Sequence, residues 1–198
     1  MDYLKAIEYS SNQKDKISNI ETVISALWEN HNTVIRTGYG EEFDVRFSQR
    51  ENYFDVVLSI KNNDIGFITL KQKNSGRYSI VNDSSINPHP AITQTAGHGL
   101  AVKAEHRKRG IGAALLSLGV GIAQKDYKAR STDEPFEVIA TDVTGLGYGC
   151  YLHFGFKILP GMKETTAHYR DANRLPELKI LRRKAGLLQR LKKRMHRD

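Results

Sequence analysis

Apolar residues recur every three or four positions in the first part of the chain, which is the spacing of an amphipathic helix. They run from Ile17 to Trp28 and predict a helix over 18–31, after a shorter helix near 3–9. Beyond Gly40 the pattern changes to runs typical of strands, which predict an antiparallel meander. The four predicted strands are 43–48, 54–61, 65–72 and 77–82.

The second half of the chain alternates between strand-like and helix-like patterns. The predicted elements are a strand over 93–103, a helix over 112–129, a strand over 136–141, a helix over 145–154, a strand over 156–159 and a last strand over 178–181. A strand–helix–strand order favours a parallel strand pair. The patterning therefore predicts a mixed sheet flanked by helices.

Charge is distributed very unevenly along the chain. At 198 residues, with 39% apolar and 26% charged residues, the chain is long enough for one domain with a substantial core. Residues 1–178 carry 21 Lys and Arg against 21 Asp and Glu, whereas 179–198 carry 9 against 1. We therefore predict a domain over 1–183 and a basic helical tail over 184–198. Such a tail attracts nucleic acid or an acidic partner, although a solvated helix explains it equally well.

Several classes of protein are disfavoured by the same sequence. No apolar run approaches the roughly 18 residues of a membrane span, and the first residues lack the order of a signal peptide. The single cysteine, Cys150, cannot form an internal disulfide, so we expect a cytoplasmic protein. The seven histidines show no metal-ligand spacing, so we expect no metal. The glycines at 145, 147 and 149 lack the spacing of a dinucleotide fingerprint.

The stretch 100–116 carries the candidate chemistry, because a predicted strand runs there into a charged turn and then into a helix. The turn is Arg107-Lys108-Arg109-Gly110-Ile111-Gly112. Backbone amides at a helix N-terminus have no intrahelical partner, and the helix dipole adds positive charge there. Glycines let an anion approach these amides and tolerate a positive φ. The turn therefore predicts a binding site for a phosphate group.

Two motifs make the sequence resemble the GNAT superfamily, the acyl-CoA-dependent N-acyltransferases. Residues 107–112 are similar to that family's Arg/Gln-x-x-Gly-x-Gly/Ala pyrophosphate loop, and Tyr151-Leu152-His153-Phe154-Gly155-Phe156 is similar to its Tyr-x-x-x-Gly-Phe motif. The resemblance implies an α+β (mixed α/β) GNAT fold. That fold has a central, mostly antiparallel twisted sheet with one splayed parallel strand pair, flanked by helices, here followed by the basic C-terminal helix.

The resemblance also implies an activity, the transfer of an acetyl or other acyl group from acetyl-CoA to a primary amine. The strand at Leu100, Ala101 and Val102 would pair with pantetheine, with an amide near Leu100 directed at the thioester carbonyl as an oxyanion donor. The pyrophosphate would be held by Arg107, Lys108, Arg109, Gly110, Ile111, Gly112 and Ala113. The three cations of this loop are expected at the surface, where they contribute modestly.

Tyr151 and His98 are the candidate catalytic residues. Tyr151 matches the family's usual general acid, which protonates the departing CoA thiolate; the alternative is a tyrosine that only packs between helix and sheet. The position of the family's usual glutamate base, eleven residues before Arg107, is here Ala96. His98 lies two residues further along the same strand face and is the substitute we expect. A histidine that is hydrogen-bonded at a sheet edge fits the sequence as well.

Other positions near the motifs have weaker signals. Thr144 stands where many relatives have an asparagine that contacts CoA, and it is also suited to cap the next helix. Glu41 and Glu42, in a loop that would border the acceptor site, are further candidate bases. Cys150 is expected to pack rather than to act as a nucleophile.

A second class of function fits the same sequence. A nucleic-acid- or partner-binding module on a GNAT fold, with little or no activity, would explain the basic tail and the missing carboxylate at Ala96. An acetyltransferase acting on tRNA-linked amines combines both readings. The predicted partners are therefore an amine acceptor (a small molecule, a peptide or an aminoacyl-tRNA), a nucleic acid or acidic partner for the tail, and a second copy of the chain in a homodimer. The segments that would select the amine, 18–49 and 83–94, carry no motif.

Overall fold

The helices and strands are seen in a computed structural model that describes residues 16–36, 41–81, 89, 91–92, 99–141, 145–158 and 166–175. The helices are α1 (Lys16–Asn30), α2 (Ile111–Arg130) and α3 (Gly145–Phe154). The strands are β1 (Asn32–Arg36), β2 (Glu42–Arg50), β3 (Tyr53–Ile60), β4 (Asn63–Gln72), β5 (Arg77–Ile80), β6 (Leu100–Val102), β7 (Glu137–Ala140), β8 (Lys157–Ile158) and β9 (Ala167–Tyr169). Predictions that lie outside the described residues are the helix near 3–9, the strand over 178–181, the tail over 184–198, Ala96, His98 and Thr144.

Strands β1 to β4 form an antiparallel meander. The hairpin between β3 and β4 turns at Lys61 and Asn62, whose φ angles are 50° and 61°. Two successive positive φ angles are typical of a type I′ turn, whose twist matches that of the flanking strands. The sequence pattern does not predict β1, which begins directly after His31, a residue that reverses the chain at φ 61°.

The core lies between α1, α2 and one face of the sheet. Along β3, Phe54, Val56 and Leu58 point toward the helices, whereas Asp55 and Val57 point to the opposite face. Fully buried core side chains include Leu27 of α1, Phe43 of β2, Leu58 of β3, Leu70 of β4 and Leu115 of α2. Burial of each such side chain contributes roughly 1.5–3 kcal/mol, so this one apolar face stabilises most of the sheet.

One position in the sheet, beside β4, is filled by two separate segments. β5 pairs with β4 at 70–72, and β6 pairs with the same edge at 66–68. Thr69 lies between them: its carbonyl accepts from the Val81 amide at 3.0 Å, and its amide donates to the Gly99 carbonyl at 2.7 Å. β5 and β6 are therefore two halves of one strand, which we call the composite strand. The chain leaves it after Val81 and returns at Gly99.

The composite strand is paired on its other side only along its first half, as far as the described strands go. β5 pairs in parallel with β7, whereas β6 pairs with β4 alone. The expected parallel pair therefore forms, but the partner of β7 is β5 and not the strand that leads into α2. β7 pairs antiparallel with β9, and β9 with β8. The mixed α+β class and the mostly antiparallel sheet with one parallel pair, flanked by helices, are confirmed.

Gly149 lies in α3 where an added side chain meets nothing. A methyl group at this position has no atom within 4 Å. Glycine inside a helix is less stable than alanine by roughly 0.5–1 kcal/mol, because it loses more backbone entropy on folding. We therefore expect Gly149→Ala to raise the free energy of unfolding by about that amount in urea titrations followed by circular dichroism. A variant no more stable than the parent protein would contradict this.

Candidate active site

The N-terminus of α2 presents backbone amides that no described side chain caps. The first hydrogen bond of the helix runs from the Ala114 amide to the Gly110 carbonyl at 3.0 Å, so the amides of residues 111–113 lie ahead of it. Gly110, at φ 83°, is the residue before the helix and provides no capping side chain. The first turn contains no Asp or Glu, so the positive end of the helix dipole is not compensated there. This helix end is suited to bind an anion.

The loop before α2 is held in place by its own hydrogen bonds. A single 3₁₀ turn spans Ala104–His106, and Arg107 Nε donates to the Val102 carbonyl at 2.9 Å. This bond closes the loop on the end of β6. Lys108 has a φ of 59° and, like Arg107, is exposed. Two cations therefore flank the helix amides.

Arg109 is buried, and the expectation that it lies at the surface is wrong. The residue is 5% exposed, and its Nη2 lies 2.5 Å from Oε2 of Glu41 at the start of β2. Its Nη1 lies 3.3 Å from Nδ1 of His106. The left-handed conformation of Lys108 turns the next residue under the loop. Glu41 thus neutralises the Arg109 charge and is less suited to act as a base.

β6 directs main-chain groups toward its open edge. The Gly99 carbonyl and the Lys103 amide both bond to β4, at 2.7 and 2.8 Å. Successive residues of a strand point their backbone groups to opposite sides, so those of Leu100 and Val102 face away from β4. Arg107 occupies the Val102 carbonyl, so among the described residues the Leu100 amide and carbonyl and the Val102 amide are the groups of β6 left without a strand partner on this side. This edge can accept an extended chain as an added strand.

Tyr151 is buried in α3. It is 7% exposed, and its ring meets the Phe156 ring edge-on, with the ring centroids 5.1 Å apart. Gly155, at φ 105°, ends the helix, and the Phe156 amide returns to the Tyr151 carbonyl at 3.0 Å. Burial raises the pKa of Tyr151 well above its ordinary value, and the Cys150 thiol adds to the shift. The phenol therefore keeps its proton at neutral pH.

The two sequence motifs meet where α3 passes the N-terminus of α2. A methyl group on Gly112 would lie 3.5 Å from Cys150 Sγ, the residue next to Tyr151. Burial raises the pKa of the Cys150 thiol to about 11, so this side chain is protonated at neutral pH. A protonated thiol packs as a small apolar group, in line with the expectation for Cys150.

A polar cluster that the sequence analysis did not find lies on the sheet face opposite the helices. Its members are Asp55, Thr69 and His89, and His89 Nε2 lies 4.0 Å from Asp55 Oδ1. They come from three separate segments, so no spacing rule connects them. A charged residue inside the apolar strand 53–60 is the one signal in the sequence that points to this cluster.

Other sites are not seen in the described part of the chain. Within those ranges, no group of three His, Cys, Asp or Glu side chains is placed to hold a metal ion. None of the helices there is long and apolar enough to cross a membrane. The structure thus places Leu100–Val102, the loop 107–113 and Tyr151 in one region, while His98 and Thr144 stay predictions.

Comparison with known proteins identifies the domain. No curated protein matches the sequence significantly. The sequence model of the acetyltransferase (GNAT) family matches residues 20–134, more than half of the 198 residues. The match includes the composite strand and the N-terminus of α2 and ends before Tyr151. The chain therefore belongs to the GNAT acetyltransferase family and contains an acyltransferase domain.

Proposed function

We propose that the protein transfers an acetyl group from acetyl-CoA to a primary amine. The observation that carries the proposal is the meeting of Gly112, in the anion-binding loop, with the residue next to Tyr151. The open edge of β6 leads directly into that loop through the bond between Arg107 and Val102. An anion site, an unpaired strand edge and a proton donor are the three features that a CoA thioester requires.

The amides of residues 111–113 are suited to the pyrophosphate of CoA. Hydrogen bonds from amides to a charged oxygen are worth about 1.5–3 kcal/mol each, more than neutral ones. Arg107 and Lys108, both exposed, add long-range attraction that weakens with salt. Main chain, rather than the three cations together, supplies most of the binding free energy in this proposal.

The outer edge of β6 is suited to the pantetheine arm and the thioester. Its free groups alternate donor and acceptor, which matches the two amides of pantetheine. Leu100 is held in place by the pairing of β6 with β4, and its amide points to the open edge of β6. A preorganised donor at the thioester oxygen stabilises the negative charge of the transition state by about 3 kcal/mol.

Tyr151 is the proposed general acid. The amine nitrogen forms a bond to the acyl carbon, the carbon–sulfur bond breaks, and the Tyr151 hydroxyl gives its proton to the sulfur. Burial raises the pKa of this hydroxyl, so it holds its proton at neutral pH and releases it only to a strongly basic thiolate. His98 and Thr144, as base and as an additional CoA contact, remain predictions from the sequence.

We expect Tyr151→Phe to lower kcat by roughly tenfold or more, because general acids contribute about 10²–10⁴ in rate. The affinity for acetyl-CoA should stay unchanged, since the ring and its contact with Phe156 are kept. Thiol release measured with a colorimetric thiol reagent gives kcat, and isothermal titration calorimetry gives the affinity. An unchanged kcat would remove Tyr151 from the mechanism.

Tyr169→Phe is the matched control. Its ring contacts the same Phe156 ring, at 5.5 Å between centroids, and its hydroxyl donates to the Arg174 carbonyl. Loss of that hydrogen bond should lower stability by about 1 kcal/mol and leave kcat unchanged. Equal losses of kcat in the two variants would mean that Tyr151 acts through packing.

The proposed function itself is tested on the purified protein. Native mass spectrometry detects CoA that co-purifies, and titration with acetyl-CoA measures its affinity. A thiol-release screen over small amines, peptides and aminoacyl-tRNA then identifies the acceptor. A protein that does not bind acetyl-CoA at millimolar concentration would overturn the proposed function.

A further inference from the structure

The sheet face opposite α1 and α2 carries a buried polar cluster, which we call the Asp55 cluster: Asp55 of β3, Thr69 of β4 and His89 of the segment between β5 and β6. Asp55 is 8% exposed and Thr69 3%. The Thr69 hydroxyl donates to Asp55 Oδ1. A buried carboxylate is destabilising unless it is hydrogen-bonded or paired. The presence of one in an apolar strand therefore points to a functional role.

His89 is held in a defined orientation over the sheet. Its ring lies against the Phe67 ring, with the centroids 4.5 Å apart, and its Nε2 is enclosed without a hydrogen-bond partner among the described atoms. The 4.0 Å from Nε2 to Asp55 Oδ1 is longer than a hydrogen bond. A small movement of the ring closes this gap, so Asp55 is placed to stabilise a positive charge on His89.

The charges around His89 favour a neutral ring that can become cationic. Burial lowers the pKa of His89 below its ordinary value, and the Asp55 carboxylate opposes that shift. The other charged groups that face it are Asp64, Arg46 and Arg50. Arg46 Nη2 lies 2.5 Å from Asp64 Oδ1, so these two largely cancel. The ring is therefore unprotonated at neutral pH, with one nearby acid to support protonation.

The Asp55 cluster lies beside the strand that would hold the thioester. Phe67, under the His89 ring, pairs with Ala101 across β4 and β6. Neighbouring strands are about 4.8 Å apart, so Phe67, which the His89 ring contacts, lies one strand spacing from Ala101 of β6. On this face the β6 half of the composite strand offers Gly99 and Ala101, which carry no side chain larger than a methyl group. Ile92 belongs to the same apolar cluster as Phe67, with Ala101 packed against it, so an amine that reaches the outer edge of Leu100 over this face passes beside Ile92.

We propose that His89 is the base that takes the proton from the acceptor amine, with Asp55 as its positioning residue. The inference rests on the proposed function. An alkyl amine is protonated at neutral pH and has no lone pair for attack. With Nε2–H directed at Asp55, the Nδ1 lone pair is free to accept a proton. The proton passes from the ammonium nitrogen to Nδ1, directly or through one water.

The freed lone pair then forms the carbon–nitrogen bond, the carbon–sulfur bond breaks, and the sulfur takes the Tyr151 proton. The imidazolium, now hydrogen-bonded to Asp55, gives its proton to solvent and the ring returns to its neutral form. Tyr151 recovers a proton from the nitrogen of the product, which must lose one to become an amide. Protons and electron pairs balance without any further reactant.

Two nucleophiles distinguish whether His89 acts as a catalytic base or only supports the structure. At pH 7 n-butylamine is almost wholly protonated, whereas hydroxylamine is mostly neutral and needs no base before attack. We expect His89→Gln to lower kcat/KM for n-butylamine by about a hundredfold and for hydroxylamine by less than about threefold. Acetyl-CoA affinity should be unchanged. Equal losses with both nucleophiles, or a selective loss in His98→Gln instead of His89→Gln, would overturn the proposal.

The control is His31→Asn, an exposed histidine replaced by a residue that tolerates its φ of 61°. It should leave both rates unchanged. Asp55→Asn should lower kcat/KM for n-butylamine and shift the acid limb of its pH profile to lower pH, because the carboxylate favours the imidazolium. An acid limb at the same pH in Asp55→Asn and in the parent protein would contradict the positioning role of Asp55.

A measurement independent of turnover uses the ring nitrogens. In ¹⁵N spectra of histidine-labelled protein, neutral His89 should carry its proton on Nε2 and leave Nδ1 unprotonated. In Asp55→Asn the pKa of His89 should fall further. A ring protonated on Nδ1 overturns the proposal even if neither nucleophile releases thiol, whereas loss of acetyl-CoA binding overturns the proposed function alone.

Discussion

Gly112→Asp is expected to lower the affinity for CoA by about a hundredfold, or close to 3 kcal/mol, without loss of stability. The new carboxylate would lie in the first turn of α2, where it satisfies the helix amides and repels the pyrophosphate. An acid at a helix N-terminus stabilises the fold by roughly 0.3–1 kcal/mol. Among the described residues, the added Cβ meets Cys150 Sγ alone, at an ordinary 3.5 Å. Calorimetry gives the affinity and thermal unfolding gives the stability.

Gly112→Asn distinguishes the effect of the added charge from the effect of the added bulk. Asparagine has the same shape as aspartate but no charge, so it should weaken CoA binding by about tenfold or less. The gap between the two variants should shrink as salt is raised, because the repulsion is screened. Equal affinities in the two variants would mean that bulk, not charge, decides binding. Undiminished affinity in Gly112→Asp would show that the anion binds elsewhere.

Gly99→Ala is expected to destabilise the protein by about 2–3 kcal/mol, the largest loss of stability among these variants. A methyl group at Gly99 would lie 2.2 Å from the Val81 carbonyl oxygen and 2.6 Å from the Val81 amide nitrogen. Both are backbone atoms, and both segments are hydrogen-bonded to Thr69, so neither can move without breaking the composite strand. Urea unfolding followed by circular dichroism measures the loss.

The same substitution should also abolish most thiol release at temperatures where the variant is folded. Leu100 is the next residue, and a shift of the chain at Gly99 displaces its amide from the proposed oxyanion position. In the same urea titrations, Gly149→Ala serves as the comparison, because it is expected to raise stability. A loss of stability below about 1 kcal/mol in Gly99→Ala would mean that the backbone at Val81 shifts easily to make room for the methyl group.

Sequence patterns predict those helices, strands and turns whose own residues carry the pattern. The alternation in 43–48 and 54–61 and the helical spacing after Gly112 correspond to β2, β3 and α2 in the structure. The Tyr-x-x-x-Gly-Phe motif ends in a turn because Gly155 adopts φ 105°, as a helix-terminating glycine does. In each case the information lies within a few neighbouring residues.

Features that depend on distant pairing escape sequence analysis. β9 is three residues with no alternation, and its place is defined by pairing with β7 and β8. The burial of Arg109 depends on Glu41, which is far away in the chain. The predicted strand over 93–103 does not indicate that its end continues the strand of Val81, because that continuity is made by hydrogen bonds to Thr69.

The shared attachment at Thr69 also fixes the distance between Val81 and Gly99, the two ends of the connection from β5 to β6. Its two ends are fixed to one residue of β4, so their separation does not depend on what lies between them. Doubling the length of a flexible loop adds only about 0.6 kcal/mol of closure entropy. A change in the length of this connection should therefore leave the sheet, α2 and the loop 107–113 in place.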